Sequence, residues 1–138
     1  MIYTGNSILS YLYTKLSANN LMQTINGKLY KRGTRQPDSK KEDAVIAFLA
    51  GTSSQVQEGD VVLNVYVPNL KGKDGVDYCD IVRCQQIEQM LVDIPDWLTK
   101  QGDIKFETNG MICTIEEPNI NQHFVSLKMR FKVLTSKF

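Results

Sequence analysis

The stretch that most restricts the fold lies near the C-terminal end. Val125, Leu127, Met129, Phe131 and Val133 alternate with Ser126, Lys128, Arg130 and Lys132. Successive strand residues point to opposite faces, so this period of two predicts a β-strand with one apolar and one cationic side. A slip of one residue in its pairing would bury three cations, so the register is strongly specified. The chain must therefore build a sheet with one buried face.

Other strands follow from local signals. Val61 to Val67 is a β-branched run that Pro68 ends by withholding a backbone donor. Gln57-Glu58-Gly59-Asp60 before it reads as a turn. Asn26-Gly27 suggests a tight turn with positive φ, followed by a strand over 28–32. Asn109-Gly110 reads as a two-residue hairpin loop that sets Thr108 opposite Met111, Phe106 opposite Cys113 and Ile104 opposite Ile115. In that register these six residues share the core face. Glu116-Glu117-Pro118-Asn119 is the next turn.

Ile8, Leu9, Leu12 and Leu16 recur at helical spacing, with Asn6 or Ser7 placed to cap the first turn. Ile81, Cys84, Ile87, Leu91 and Ile94 form a second stripe, capped by Asp77 and ended or kinked by Pro95. Residues 69–75 form a polar loop between them. Ser39-Lys40-Lys41-Glu42 has the form of a helical capping box, yet Val45 to Leu49 also fits a strand buried on both faces. The strand reading is adopted for 43–49, partly on the resemblance given below. The resulting order predicts one α+β domain over 1–138, a mostly antiparallel sheet of five to six strands with two helices packed on one face.

Composition narrows the function. A net charge of +1 lacks the basic excess with which proteins neutralise a phosphate backbone, so nucleic acid is not supported as a partner. No apolar run is long enough to span a bilayer and the N-terminus carries no secretory leader pattern, which predicts a soluble protein without a membrane partner. One histidine, His123, and three cysteines without a CxxC spacing give no metal set and imply no cofactor. Cys79 and Cys84, both placed on the second helix, would be turned about 140° apart. Cys113 and His123 share core-facing parity in the predicted hairpin, and a dyad there is the sharpest enzymatic idea. Cys113 reads better as a small buried hydrophobe, and no catalytic residue is assigned.

Charged residues suited to protein contact fall in three groups. Lys128, Arg130 and Lys132 align on one sheet face, an arrangement that would also serve a small adaptor or nucleic-acid-binding module. Arg32, Arg35, Asp38, Lys40 and Lys41 lie between early strands. Lys71, Lys73 and Asp74 occupy the polar loop.

The order of Lys28-Leu29-Tyr30-Lys31-Arg32, Asp38 to Asp43, the strand Gly59 to Pro68 ending Tyr66-Val67-Pro68, and the closing Gln122-His123-Phe124 to Phe131 resembles the tail-terminator or tail-completion proteins of long-tailed bacteriophages. The resemblance covers nearly the whole chain and rests on strand patterns without a catalytic signature. It implies a non-enzymatic structural protein that forms a homo-oligomeric ring, commonly a hexamer, capping the tail tube and joining it to the head connector. It also implies an extended hairpin arm at about 32–41 that reaches neighbouring subunits or the tube. The expected location is the bacterial cytoplasm during assembly, and the virion tail or neck of an active phage.

Overall fold

The computed structural model describes residues 2–53 and 56–133. The elements, in chain order, are α1 (Gly5–Leu16), α2 (Leu21–Thr24), β1 (Leu29–Lys31), β2 (Ala44–Ser53), β3 (Gln57–Pro68), β4 (Leu70–Lys71), β5 (Asp77–Tyr78), α3 (Ile81–Leu91), α4 (Ile94–Thr99), β6 (Ile104–Thr108), β7 (Cys113–Glu117), a 3₁₀ turn (Pro118–Ile120) and β8 (Gln122–Val133). The main sheet has six strands in the order β1-β2-β3-β8, with β6 and β7 both pairing β8 on its far side. All its pairings are antiparallel except β1 with β2. The fold is the predicted α+β class, with α1 and α3 as the two longer helices.

β8 behaves as its pattern demands. Val125, Leu127, Met129, Phe131 and Val133 are buried, and Lys128, Arg130 and Lys132 are exposed. Their inner-face neighbours Val61, Leu63, Val65, Ile104 and Phe106 join Ile8, Leu12 and Leu16 of α1 and Cys84, Ile87 and Leu91 of α3 in one core. Each such aliphatic side chain, fully buried, contributes about 1.5–3 kcal/mol. The helices thus all lie over one face of the sheet.

Both helix starts differ in detail from expectation. α1 is capped by Thr4, two residues before Asn6 and three before Ser7. Thr4 Oγ1 accepts from the Ser7 N–H at 3.2 Å while Ser7 Oγ accepts from the Thr4 N–H at 2.6 Å. α3 is capped by Asp80, which accepts from Arg83 N, and not by Asp77. Asp77 lies in β5, paired with Lys71, so the predicted polar loop is a small β4–β5 hairpin. Because α3 begins at Ile81, that residue projects beyond the sheet and is 70% exposed. Pro95 stands in the first turn of α4, where its missing N–H breaks no helical hydrogen bond.

Residues 57–60 are strand rather than turn. They are paired on both sides, Glu58 with Thr52 and Lys132, and Asp60 with Ala50 and Arg130, and this pairing overrides the turn preference of Gly-Asp. Residues 44–49 are strand, within β2, and form no helix. Gly27 does not have positive φ. Its need is space, because a Cβ there would overlap the Glu42 carbonyl and the Asp43 carboxylate.

The predicted Asn109-Gly110 hairpin does not form. β6 and β7 run in the same direction along β8, as one edge strand interrupted at 109–112. Thr108 faces Met129 and Cys113 faces Ser126, so four residues cross a gap that Leu127 and Lys128 alone span on β8. The result is a bulge with two extra residues, entered by Asn109 N–H donating to Lys128 O at 2.8 Å and turned by Gly110 at φ 90°. An even insertion keeps the even-numbered residues inward. Thr114 faces inward with Val125, while Cys113 and Ile115 are exposed on the outer face and Met111 is exposed in the bulge.

Candidate functional site

Among the described residues no helix covers the outer face of the sheet, and its register can be read row by row. Tyr66, Phe124 and Ile115 form one row; Tyr30, Val45, Asn64, Ser126 and Cys113 the next; Ala47, Val62 and Lys128 the third. Beyond them come Ala50, Asp60, Arg130 and Glu107, then Thr52, Glu58, Lys132 and Lys105. One half of this face is therefore mostly apolar and the other charged. Ile115 is 42% exposed and Met111 in the bulge 87%, while Leu49, three strands from Ile115 at the β2 irregularity next to the charged rows, is 44% exposed. Within the apolar half the Asn64 side-chain oxygen is buried without a hydrogen-bond partner.

The charged half is less basic than the sequence alone implies. Arg130 pairs with Glu58 at 3.3 Å and Asp60 at 3.8 Å, and Glu107 lies opposite it on β6. Asp60 also accepts from Asn109 Nδ2 at 2.9 Å. Lys128 and Lys132 remain exposed, with Lys105 next to Lys132. The cations therefore form a mixed field and not a single-sign stripe.

The segment between β1 and β2 is not an extended hairpin arm. A hairpin would make its strands antiparallel, and β1 and β2 are parallel. The loop folds back instead onto the end of the sheet, held by Arg35. Arg35 Nε donates to Asp43 at 2.9 Å, its Nη2 donates to Gln122 Oε1 at 3.0 Å and to Lys41 O at 3.2 Å, and its guanidinium lies 4.2 Å from the centre of the Tyr66 ring. Ser39 Oγ donates to Asp43, and Gln122 Nε2 donates to Ser39 O. Arg35 is thus an internal anchor, while Arg32, Asp38, Lys40 and Lys41 stay exposed on the loop. Ser39 serves this anchor and caps no helix.

Asp43 and Gln122 are buried in the cluster. Burial works against the Asp43 carboxylate, but hydrogen bonds from Ser39, the Lys28 N–H and Arg35 outweigh it and hold its pKa below the ordinary carboxylate value. A second ion pair, Glu42 with Arg83 at 2.7 Å, joins this part of the chain to α3. Arg83 also donates to Thr24 O, and Glu42 N–H donates to Asn26 Oδ1.

Lys71, Lys73 and Asp74 are exposed on the β4–β5 hairpin. There Leu70, Val76 and Tyr78, with Ile81 and Val82 at the start of α3, form a second exposed apolar surface. Asp77 receives a hydrogen bond from Asn121, whose Oδ1 accepts from Asn69 Nδ2 at 3.0 Å; Asn69 Oδ1 lies 2.7 Å from His123 Nδ1. A carboxylate only accepts, so the direction of the whole chain is fixed and the His123 proton sits on Nδ1.

His123 pairs with Glu116 on the inner parity of β8, whereas Cys113 projects from the outer face. The two face opposite sides and form no dyad. Cys79 and Cys84 are the reverse case. Cys79 lies before the Asp80 cap and not on the helix, and the two sulfurs approach to 4.0 Å. Among the described residues no cluster of three or more His, Cys, Asp or Glu could hold a metal, and no helix is long and apolar enough to cross a membrane.

The charged positions of the outer face are legible in the sequence, and its apolar half is not. The available signal was Val45 to Leu49, apolar at both parities, which places Val45 and Ala47 outward while Ile46 packs inward. Compared with family models and with curated proteins, the chain matches none.

Proposed function

We propose that this chain is a structural assembly protein of the phage tail-terminator type, using the outer sheet face to contact neighbouring copies or the tail tube. The observation that carries the reading is the helix-free outer face of the sheet, apolar around Val45, Phe124 and exposed Ile115 and bordered by charged residues. An apolar centre with a polar border suits a protein partner better than water.

A ring needs two unlike complementary surfaces on each protomer. The chain has a second exposed apolar surface, at the β4–β5 hairpin and the start of α3, with Lys71, Lys73 and Asp74 beside it. Lys128 and Lys132, and the loop residues Arg32, Asp38, Lys40 and Lys41, supply charged borders. Membership of the tail-terminator class itself rests on the resemblance of strand patterns.

Native mass spectrometry across a concentration series, alone and with tail-tube protein, tests the reading. A closed oligomer, formed alone or on the tube, is expected. A monomer indifferent to concentration and to tail components would rule it out. The adaptor or nucleic-acid reading is weakened by the Glu58, Asp60 and Glu107 carboxylates around Arg130, and absence of DNA binding at low salt would remove it.

A further inference from the structure

We propose that Cys79 and Cys84 are a dithiol site, oxidised by a low-molecular-weight disulfide to a single intramolecular disulfide bond. Their sulfurs are 4.0 Å apart, one residue standing just before the α3 cap and the other in the first turn of the helix. A bonded pair sits at about 2.05 Å, a distance that side-chain rotation at the half-buried Cys79 must close. A cavity of about 260 Å³ opens onto both sulfurs, lined by Cys79, Ile81, Cys84, Gln85, Glu88 and Thr114. It gives a small disulfide room to reach Cys79 while Cys84 stays buried behind it.

The exchange is balanced by the reagent. The Cys79 thiolate attacks one sulfur of the small disulfide, that S–S bond breaks, and one thiolate leaves to take a proton. The Cys84 thiolate then attacks Cys79 Sγ and expels the second small thiol. Two protein thiols are oxidised, and one reagent disulfide is reduced to two thiols.

Burial, followed by the neighbouring Cys79, pushes the Cys84 thiol up to about 12, so the second step is the slow one and quickens as pH rises. Capping of Cys79 removes its share of that shift. The product would tie the end of the β4–β5 hairpin to the first turn of α3, next to exposed Tyr78, Ile81 and Val82. The thiol chemistry does not rest on the assembly reading, although the site adjoins the second surface assigned to assembly.

Oxidised glutathione added to the folded, fully reduced chain, followed by alkylation and peptide mass spectrometry, is the test. The expected result is loss of two hydrogens across the segment holding Cys79 and Cys84, while exposed Cys113 gains one glutathione. Cys84→Ser should stop at a stable Cys79–glutathione adduct, and Cys79→Ser should leave Cys84 unmodified. If Cys79 and Cys84 remain alkylatable after Cys113 has reacted fully, or if Cys79 in the unsubstituted chain keeps its glutathione, the proposal is overturned.

Discussion

Asp43 is the residue on which the β1–β2 connection depends, because it receives Arg35, Ser39 and the Lys28 N–H at once. Asp43→Asn leaves the half-buried Arg35 without its counter-ion and should lower unfolding free energy by about 3 kcal/mol, measured by urea denaturation at neutral pH. The pH dependence has a definite sign. A carboxylate whose folded pKa is depressed contributes stability that is present above its unfolded value and lost as pH falls through the folded one. The difference between the unsubstituted chain and Asp43→Asn should therefore hold above about pH 5 and shrink as the pH falls through and below the ordinary carboxylate range. Gly27→Ala should cost about 2 kcal/mol by the same assay, since the added methyl meets the Glu42 backbone and the Asp43 carboxylate, neither of which can withdraw.

At the scale of elements, the bulge at 109–112 decides which residues of β7 face the core. Deleting Gly110 and Met111 together removes two residues and leaves Asn109 opposite Lys128 and Ile112 opposite Leu127, so circular dichroism and thermal melting should report a folded protein close to the original. Deleting Gly110 alone reverses the parity of β7, turning Cys113 and Ile115 inward and Thr114 out, and should lower the melting temperature sharply. The same bulge shows where sequence reasoning stops. β8 was legible because both of its faces are constrained, by apolar residues within and cations without. Asn109-Gly110 has ideal hairpin chemistry, but the partner it would need, β7, continues along β8 instead, and no local signal distinguishes a turn from a bulge. Cys79 was misplaced for a related reason, since Asp77 and Asp80 are equally good caps by residue type and only the β4–β5 pairing selects between them.

For the whole molecule, the consequence of placing every helix on one side is a sheet whose other side must face solvent or a partner. Positive charge on β8 was readable from the sequence. The apolar half was not, because Tyr66, Phe124 and Ile115 come from three separate strands and meet only through their registers. Ile115 and Leu49 are exposed and make no part of the core, so Ile115→Asp and Leu49→Asp should each leave the unfolding free energy, measured by urea denaturation, within about 0.5 kcal/mol of the original. Their effect should fall on assembly. Light scattering across a concentration series, with and without tail-tube protein, should show closed oligomers for the unsubstituted chain and monomers for the folded double variant Leu49→Asp/Ile115→Asp. Equal assembly by both, or monomers throughout for the unsubstituted chain, would contradict the outer sheet face as the contact surface.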